Sequence, residues 1–214
     1  MKIMKKMMMI AAMMVATVAA KAQFEPGTFS LQPKVGVTLS TISSDDFKFK
    51  FGIGAGIEGQ YQLNNWFGLS AAVMYNQQGF KFKDADVKGN MEYINIPIMA
   101  KFYVTKGLSL NVGVQPGFLT KAKAKASGDY YIGDGSGNKT KEMDFKSNCN
   151  KVDFSIPLSI AYEFENGLSF EARYTTGLTN VGKDYFDGSH SSWDKTFQNK
   201  NEVFMLTVGY KFEL

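Results

Sequence analysis

Residues 152–165 read VDFSIPLSIAYEFE, and apolar side chains alternate with polar or small ones along the whole stretch. Residues 48–63 read KFKFGIGAGIEGQYQL and alternate in the same way, with the apolar side chains at odd positions. Successive side chains of a β-strand point to opposite faces, whereas a helix repeats about every 3.6 residues. Both stretches are therefore predicted to be β-strands with one apolar face and one polar or small face.

The same alternation occurs eight times along the chain. The predicted strands are residues 28–40, 48–63, 66–78, 91–104, 107–120, 151–165, 167–179 and 202–214. Strands of soluble proteins usually have about 5 or 6 residues, whereas a tilted strand that crosses a membrane needs about 9–11. Bacterial outer-membrane barrels also have an even number of strands. The sequence therefore predicts an all-β fold, an eight-stranded antiparallel up-and-down transmembrane β-barrel.

The connections between the predicted strands alternate between short and long. Short links lie at residues 64–65, 105–107 and 165–167. Longer links lie at about residues 41–47, 79–90, 121–150 and 180–201. Because outer-membrane barrels have short periplasmic turns and long external loops, we expect both ends of the mature chain in the periplasm and the four long loops outside the cell.

The first 22 residues are predicted to be a cleaved signal peptide, which leaves residues 23–214 as the barrel. Lys2, Lys5 and Lys6 precede the apolar run MMMIAAMMVATVAA at residues 7–20, and Ala20-Lys21-Ala22 forms an A-x-A cleavage site. The chain has 24 Lys and Arg against 20 Asp and Glu, and four of the lysines lie in this leader. The remaining chain is thus neutral, which gives no indication of nucleic-acid binding.

Aromatic residues are predicted near both ends of the strands. The set toward the short turns is Tyr61, Trp66, Phe67, Phe102, Tyr162, Phe164, Tyr210 and Phe212, and the set toward the long loops is Phe47, Phe49, Phe80, Phe82, Phe118, Phe154 and Tyr174. Amphipathic rings concentrate at the two interfaces of a bilayer. We interpret the two sets as aromatic girdles, although aromatic residues also favour strands in general.

Two segments carry a family resemblance. The last strand ends with Gly209, Tyr210, Phe212 and Leu214 in a small-x-aromatic pattern that resembles the terminal strand read by the barrel-assembly machinery. The segment YINIPI at residues 93–98, together with the predicted leader and eight strands, resembles the PorT-like outer-membrane β-barrel family of Gram-negative bacteria. This resemblance implies a fold and a location but little about activity. One branch of that family resembles a factor for a secretion system.

The inward faces of the predicted strands carry charges of both signs. They are Lys34, Lys48, Lys50, Glu58, Lys101, Asp153, Glu163, Glu171, Arg173, Lys211 and Glu213. The interior of an eight-stranded barrel is only wide enough for side chains, and buried charges need partners. We therefore predict a lumen ion-pair network that includes Glu58, Lys101, Glu171 and Arg173. The alternative is an ion-selective pore.

Other candidate sites lie in the predicted external regions. Lys121, Lys123 and Lys125 alternate with alanine and are predicted to contact lipopolysaccharide head groups. His190 is the only histidine and lies among serines, which is a weak pattern for catalysis. Residues 133–138 read GDGSGN and lack the order and the closing Glu of a calcium loop. We predict no catalytic residue, no metal site and no cofactor.

The favoured function is a non-enzymatic outer-membrane barrel with a plugged polar lumen and four external loops, acting in envelope stability or surface interaction. The alternatives are a narrow porin-like channel and a membrane accessory of a secretion or assembly system. The expected partners are outer-membrane lipid, lipopolysaccharide and, during biogenesis, the barrel-assembly machinery. Cys149 is the only cysteine, which excludes an intramolecular disulfide, so packing or the membrane must hold the fold.

Overall fold

The structure, a computed structural model, describes residues 25–43, 47–83, 86–128, 132–133, 139–182 and 200–214. The strands are β1 (Phe29–Ile42), β2 (Phe47–Lys48), β3 (Lys50–Asn64), β4 (Phe67–Phe82), β5 (Val87–Asn95), β6 (Ile98–Thr105), β7 (Leu108–Ala126), β8 (Ile132–Gly133), β9 (Lys139–Thr140), β10 (Glu142–Asp144), β11 (Val152–Glu163), β12 (Leu168–Gly177), β13 (Asn201–Tyr210) and β14 (Phe212–Glu213). A short 3₁₀ helix spans Lys146–Asn148. Within these ranges no helix has the length and apolar character needed to cross a membrane.

Seven long strands and the pair β5–β6 close into a ring. The order around the ring is β1, β3, β4, β5 with β6, β7, β11, β12 and β13, and β13 pairs with β1. Every pairing around the ring is antiparallel. The predicted all-β, eight-stranded antiparallel barrel is therefore confirmed.

The fourth predicted strand, residues 91–104, is divided at Pro97 into β5 and β6. Proline lacks a backbone N–H and cannot donate to a sheet ladder. The ladder continues on both sides of the break, because the N–H of Ile96 donates to the carbonyl of Pro116 at 2.8 Å and the N–H of Ala72 donates to the carbonyl of Pro97 at 3.0 Å. Both β5 and β6 pair with β4 and β7, so the break leaves the ring closed.

The outer face of the ring is apolar. Val35 and Val114 face outward with 61% and 55% of their surface exposed, an exposure that recurs on every long strand. Water-soluble proteins rarely expose a continuous apolar band, whereas a membrane barrel presents one to lipid. Toward the short turns the rings of Trp66, Phe67 and Phe102 contact each other with centroids 5.1–6.3 Å apart, as expected for an interface girdle.

The short turns, the start of β1 and the C-terminal residue lie at one end of the barrel. Gly107 and Gly167 adopt φ angles of 78° and 87° in two of the turns, a left-handed conformation that glycine adopts at little cost. The N–H of Leu214 donates to the carbonyl of Phe29 at 2.9 Å, which joins the last residue to the start of β1. We call this the turn end of the barrel and the opposite end the loop end.

Two strands continue past their predicted ends at the loop end. β4 ends at Phe82 rather than at residue 78, and β7 ends at Ala126 rather than at residue 120. Together with β2, β5 and β10 they form a paired extension of the barrel. We call this extension the outer wall, and it comprises residues 47–48, 79–82, 87–92, 120–126 and 142–144. Parts of the predicted loops 79–90 and 121–150 are therefore strand.

Glycine on the inward face of β3 lets the neighbouring strand β4 approach closely. A Cβ at Gly56 would lie 2.2 Å from the carbonyl oxygen of Val73 and 2.5 Å from the Sδ of Met74. Glycine within a strand commonly marks such a close approach. The alternation of glycine with apolar residues in this strand thus reflects the narrow interior.

We expect Gly56→Val to destabilise the folded barrel by about 1–3 kcal/mol, because the added branched side chain cannot fit beside Val73 and Met74. The measurement is the free energy of unfolding in urea after refolding in detergent. The folded fraction is read from the heat-dependent change in gel mobility. Ala55→Val is the matched control, since Ala55 is the exposed, outward-facing neighbour on β3. Equal unfolding free energies for the two variants would contradict the packed interior.

Candidate functional site

Seven charged side chains meet inside the barrel toward the turn end. In order of contact they are Arg173, Glu171, Lys34, Glu58, Lys101, Glu163 and Lys211, and the successive nitrogen–oxygen distances are 2.8, 3.0, 2.8, 2.8, 3.2 and 2.7 Å. Neighbours always carry opposite charge. We call this arrangement the charge chain. It draws on β12, β1, β3, β6 and β11 and on the residue between β13 and β14, so it crosses the lumen from wall to wall.

Glu58 is the centre of the charge chain. Its carboxylate contacts Lys34 and Lys101 at 2.8 Å each, and Arg173 at 4.0 Å. All seven side chains are buried, with at most 6% of the side-chain surface exposed. A buried pair adds little net stability, but removing one partner leaves an uncompensated charge. The stability of the folded barrel therefore depends on the alternating order, which gives every buried charge a partner, more than on any single ion pair.

Neutral side chains complete the hydrogen bonding around Lys101 and Glu163. Lys101 donates to Gln60 Oε1 at 2.7 Å, and Gln60 Nε2 donates to the Tyr103 hydroxyl at 2.7 Å. That hydroxyl donates to Glu163 Oε2 at 3.2 Å. Because buried hydrogen bonds strengthen one another, these contacts hold the charged ends of Lys101 and Glu163 in one arrangement.

The four residues named from the sequence all belong to the charge chain. Glu58 contacts Lys101, and Glu171 contacts Arg173. Strand parity also indicated the other members, Lys34, Glu163 and Lys211, but it could not show which charges meet, because that depends on the register of non-adjacent strands. Two further residues of the predicted inward set, Lys48 and Glu213, are exposed. The remaining two, Lys50 and Asp153, are buried but lie outside the charge chain.

Two methionines pack together inside the lumen. Ala72, Met74 and Met205 form a buried cluster in which each residue is at most 4% exposed. The Cε of Met205 would lie 2.5 Å from a Cβ at Gly54, so the two residues are packed against each other. Methionine has a flexible side chain that suits irregular space, which accounts for its use here.

The loop end of the lumen holds an apolar plug. Its buried residues are Ile42, Phe80, Met91, Tyr93, Leu119, Ala122, Cys149 and Val181, with Phe47 and Phe145 packed against them. The Phe47 ring centroid lies 4.6 Å from that of Phe80 and 5.0 Å from that of Phe82. The assignment of Phe47 and Phe80 to the lipid-facing loop-side girdle is therefore wrong, because both rings pack inside the barrel.

A bulge at Thr120 sets the direction of the predicted lysine cluster. Tyr93 pairs with Leu119 but Glu92 pairs with Lys121, so Thr120 is an extra residue in β7. Its hydroxyl donates to the carbonyl of Glu92 at 2.9 Å. Because a bulge shifts the alternation by one residue, the lysines after it point outward although the odd-numbered residues before it point inward.

The three predicted lysines have acidic partners in the structure. Lys121 lies 3.2 Å from Glu92, and Lys123 and Lys125 lie 2.5 and 3.0 Å from the two oxygens of Glu142. Hydrogen bonds from Lys123 and Lys125 lower the pKa of Glu142 to about 2. Lys121 and Lys125 are exposed and Lys123 is half-buried, and two carboxylates, those of Glu92 and Glu142, oppose their three positive charges within the outer wall. Their contact with lipopolysaccharide remains a proposal.

The C-terminal strand has its aromatic side outward. Tyr210, Phe212 and Leu214 are exposed by 45%, 51% and 73%. Gly209 lies opposite Lys34, and a Cβ there would lie 2.9 Å from the Lys34 Cγ. The small residue of the predicted assembly signal therefore also makes room for Lys34 in the charge chain.

Some predicted features lie outside the described residues. They are the signal peptide at residues 1–22, His190 and residues 134–138 of the Gly/Asp loop. Within the described ranges, no three His, Cys, Asp or Glu side chains are grouped so as to hold a metal ion.

Comparison with known proteins agrees with the barrel geometry. The sequence profile described as outer membrane protein beta-barrel domain matches residues 21–182. No curated protein matches the chain.

Solved structures with a similar fold include the following two. The first is Ail, the attachment invasion locus protein of Yersinia pestis, which is 17% identical over 87% of this chain and 99% of its own, with a TM-score of 0.50. The second is Neisserial surface protein A (NspA), which is 14% identical over 86% of this chain and 97% of its own, with a TM-score of 0.50. At this level of identity the similarity shows the fold alone.

We expect Glu58→Gln to lower the unfolding free energy by about 3–5 kcal/mol, because it leaves Lys34, Lys101 and Arg173 without their shared partner. Glu165→Gln is the matched control, since its pair with Lys106 is exposed and such pairs contribute at most about 1 kcal/mol.

Urea unfolding of the refolded barrels measures both changes. Adding Lys101→Met to Glu58→Gln should recover part of the loss, because it removes one of the cations left unpaired. Equal unfolding free energies for Glu58→Gln and Glu165→Gln would contradict a stabilising role for the charge chain.

Proposed function

Because the chain belongs to the family of outer membrane protein beta-barrel domains, we propose that it acts in the bacterial outer membrane as a closed, non-enzymatic barrel. Its location in that membrane follows from the family. The observation that carries the rest of the proposal is the charge chain, which joins opposite walls of the lumen through six short contacts.

Three successive layers support a closed lumen. The charge chain lies toward the turn end, the methionine cluster around Met74 and Met205 lies in the middle, and the apolar plug around Tyr93 lies at the loop end. An eight-stranded barrel has an interior that side chains can fill. An ion would have to separate buried pairs and then cross an apolar layer, so the layers disfavour the narrow-channel alternative.

The external side is the proposed working surface. We assign the turn end, with both chain ends, to the periplasm and the loop end to the outside, as in other outer-membrane barrels. The turn end carries only short connections, which leave little surface for an accessory of a secretion system. The loop end carries the long connections and the outer wall, which suit envelope stability or surface interaction. The YINIPI segment at residues 93–98 supports placing the chain in the PorT-like group of the family.

We expect purified, folded protein in a planar bilayer to show no stable open conductance. Screening is weak for buried charges, so raising the salt concentration to about 1 M should not open the lumen. A mock preparation from cells that do not express the protein controls for contaminating porins. The heat-dependent mobility shift confirms that the inserted protein is folded. Stable, ion-selective conductance of the folded protein would contradict the closed lumen and favour the channel.

A further inference from the structure

Four lysines stand side by side across the outer wall. Lys48 of β2 pairs with Lys81 of β4, Lys81 pairs with Lys88 of β5, and Lys88 pairs with Lys125 of β7. We call these four residues the lysine row. Their strands are hydrogen-bonded neighbours, which lie about 4.8 Å apart.

The lysine row lies on the outward face of the wall. Phe47 packs inside the barrel against Phe80, so the next residue, Lys48, points the other way. The inward neighbours of Lys88 and Lys125 are Gly89, which is buried, and Ala124, which lines an open apolar pocket of about 380 Å³ on the inner side of the wall. The wall therefore has an apolar inner face and a basic outer face.

Most of the lysine row has no acidic partner within the described part of the chain. Lys125 is paired with Glu142 at 3.0 Å, whereas Lys48, Lys81 and Lys88 form no ion pair there. The nearby acids Glu92 and Glu142 are held by Lys121, Lys123 and Lys125. Like charges directly opposite each other on a sheet are destabilising, so the arrangement favours an anion that lies across the row.

The height of the row above the membrane points to the class of anion. Phe118 is outward and 43% exposed, as expected near the hydrocarbon boundary. After the bulge, Lys125 lies about 20 Å farther along the strand at about 3.3 Å per residue, or about 14 Å higher at a tilt of about 45°. At that height the outward face of a barrel wall meets the phosphorylated sugar layer of the surrounding outer-leaflet lipid.

We infer that Lys48, Lys81 and Lys88, continued by Lys125, bind phosphate groups of lipopolysaccharide. The inference rests on the proposed function, which places the loop end outside the cell. The main contact with lipopolysaccharide is then made not by Lys121 and Lys123, whose charges are paired with Glu92 and Glu142, but by lysines on the neighbouring strands. A sideways-facing row fits an annular lipid better than a soluble polyanion, which would approach the barrel from above.

The test compares binding of fluorescent lipopolysaccharide to three folded proteins in detergent micelles. They are the wild type, the row variant Lys48→Gln/Lys81→Gln/Lys88→Gln and the control variant Lys139→Gln/Lys151→Gln/Lys200→Gln, which loses the same charge outside the row. Basic residues near an anionic membrane surface contribute about tenfold or less each in affinity. We expect the row variant to bind at least about tenfold more weakly, and the control variant to bind like the wild type. Lipopolysaccharide stripped of phosphate should bind all three proteins alike.

Other results would overturn the inference. They are unchanged affinity of the row variant, an equal loss in the control variant, or tighter binding of a soluble sulfated polysaccharide than of lipopolysaccharide. The heat-dependent mobility shift shows that each variant is folded.

The proposed function is judged separately by conductance. A conducting barrel with row-dependent binding would overturn only the closed lumen, and a closed barrel without such binding would overturn only the lysine row.

Discussion

The closed hydrogen-bonded ring surrounded by lipid is the constraint on which the rest of the structure depends. Lipid offers no partner for a backbone polar group, so the ring must close, and the outward side chains must be apolar. On β11 this places Phe154 and Leu158 outward and leaves Asp153 and Glu163 inward. Because an eight-stranded interior has little room for water, the inward charges must find partners among themselves. The charge chain is the consequence of a fold whose lipid-facing surface cannot accommodate these charged side chains.

The same lack of space explains the small residues of the inner face. Gly56 makes room for Met74, and Gly209 makes room for Lys34. On the function proposed above, the charge chain, the methionine cluster and the apolar plug make the interior a core rather than a passage. On the proposed function, the surface available for recognition lies at the loop end, where the strands extend beyond the lipid-facing band. There the two faces of the outer wall differ, with apolar rings toward the lumen and the lysine row toward the lipid.

Much of the fold could be predicted from the sequence, because alternation determines which face each residue takes until a bulge intervenes. For residues that follow a bulge or an offset between strands, the sequence pattern did not predict which face the side chain takes. The extra residue Thr120 reverses the alternation after it, and Lys48 lies outward because β2 is offset from β3. Contacts such as that between Glu171 and Lys34 join residues far apart in sequence, and a sequence pattern does not encode the register that brings them together. The extension of β4 to Phe82 was also not predicted. There Lys81 faces outward between the inward Phe80 and Phe82, which is the reverse of the apolar-outward pattern that lipid requires.

The most direct test of the account is the accessibility of the middle of the lumen to water. A single cysteine is introduced by Ala72→Cys in a Cys149→Ser background, since Ala72 is 4% exposed inside the barrel. Glu165→Cys in the same background provides an exposed reference at the turn end. We expect a small water-soluble thiol reagent to label Glu165→Cys in the folded barrel and to label Ala72→Cys only after boiling. Labelling of folded Ala72→Cys as fast as the reference would contradict a filled lumen.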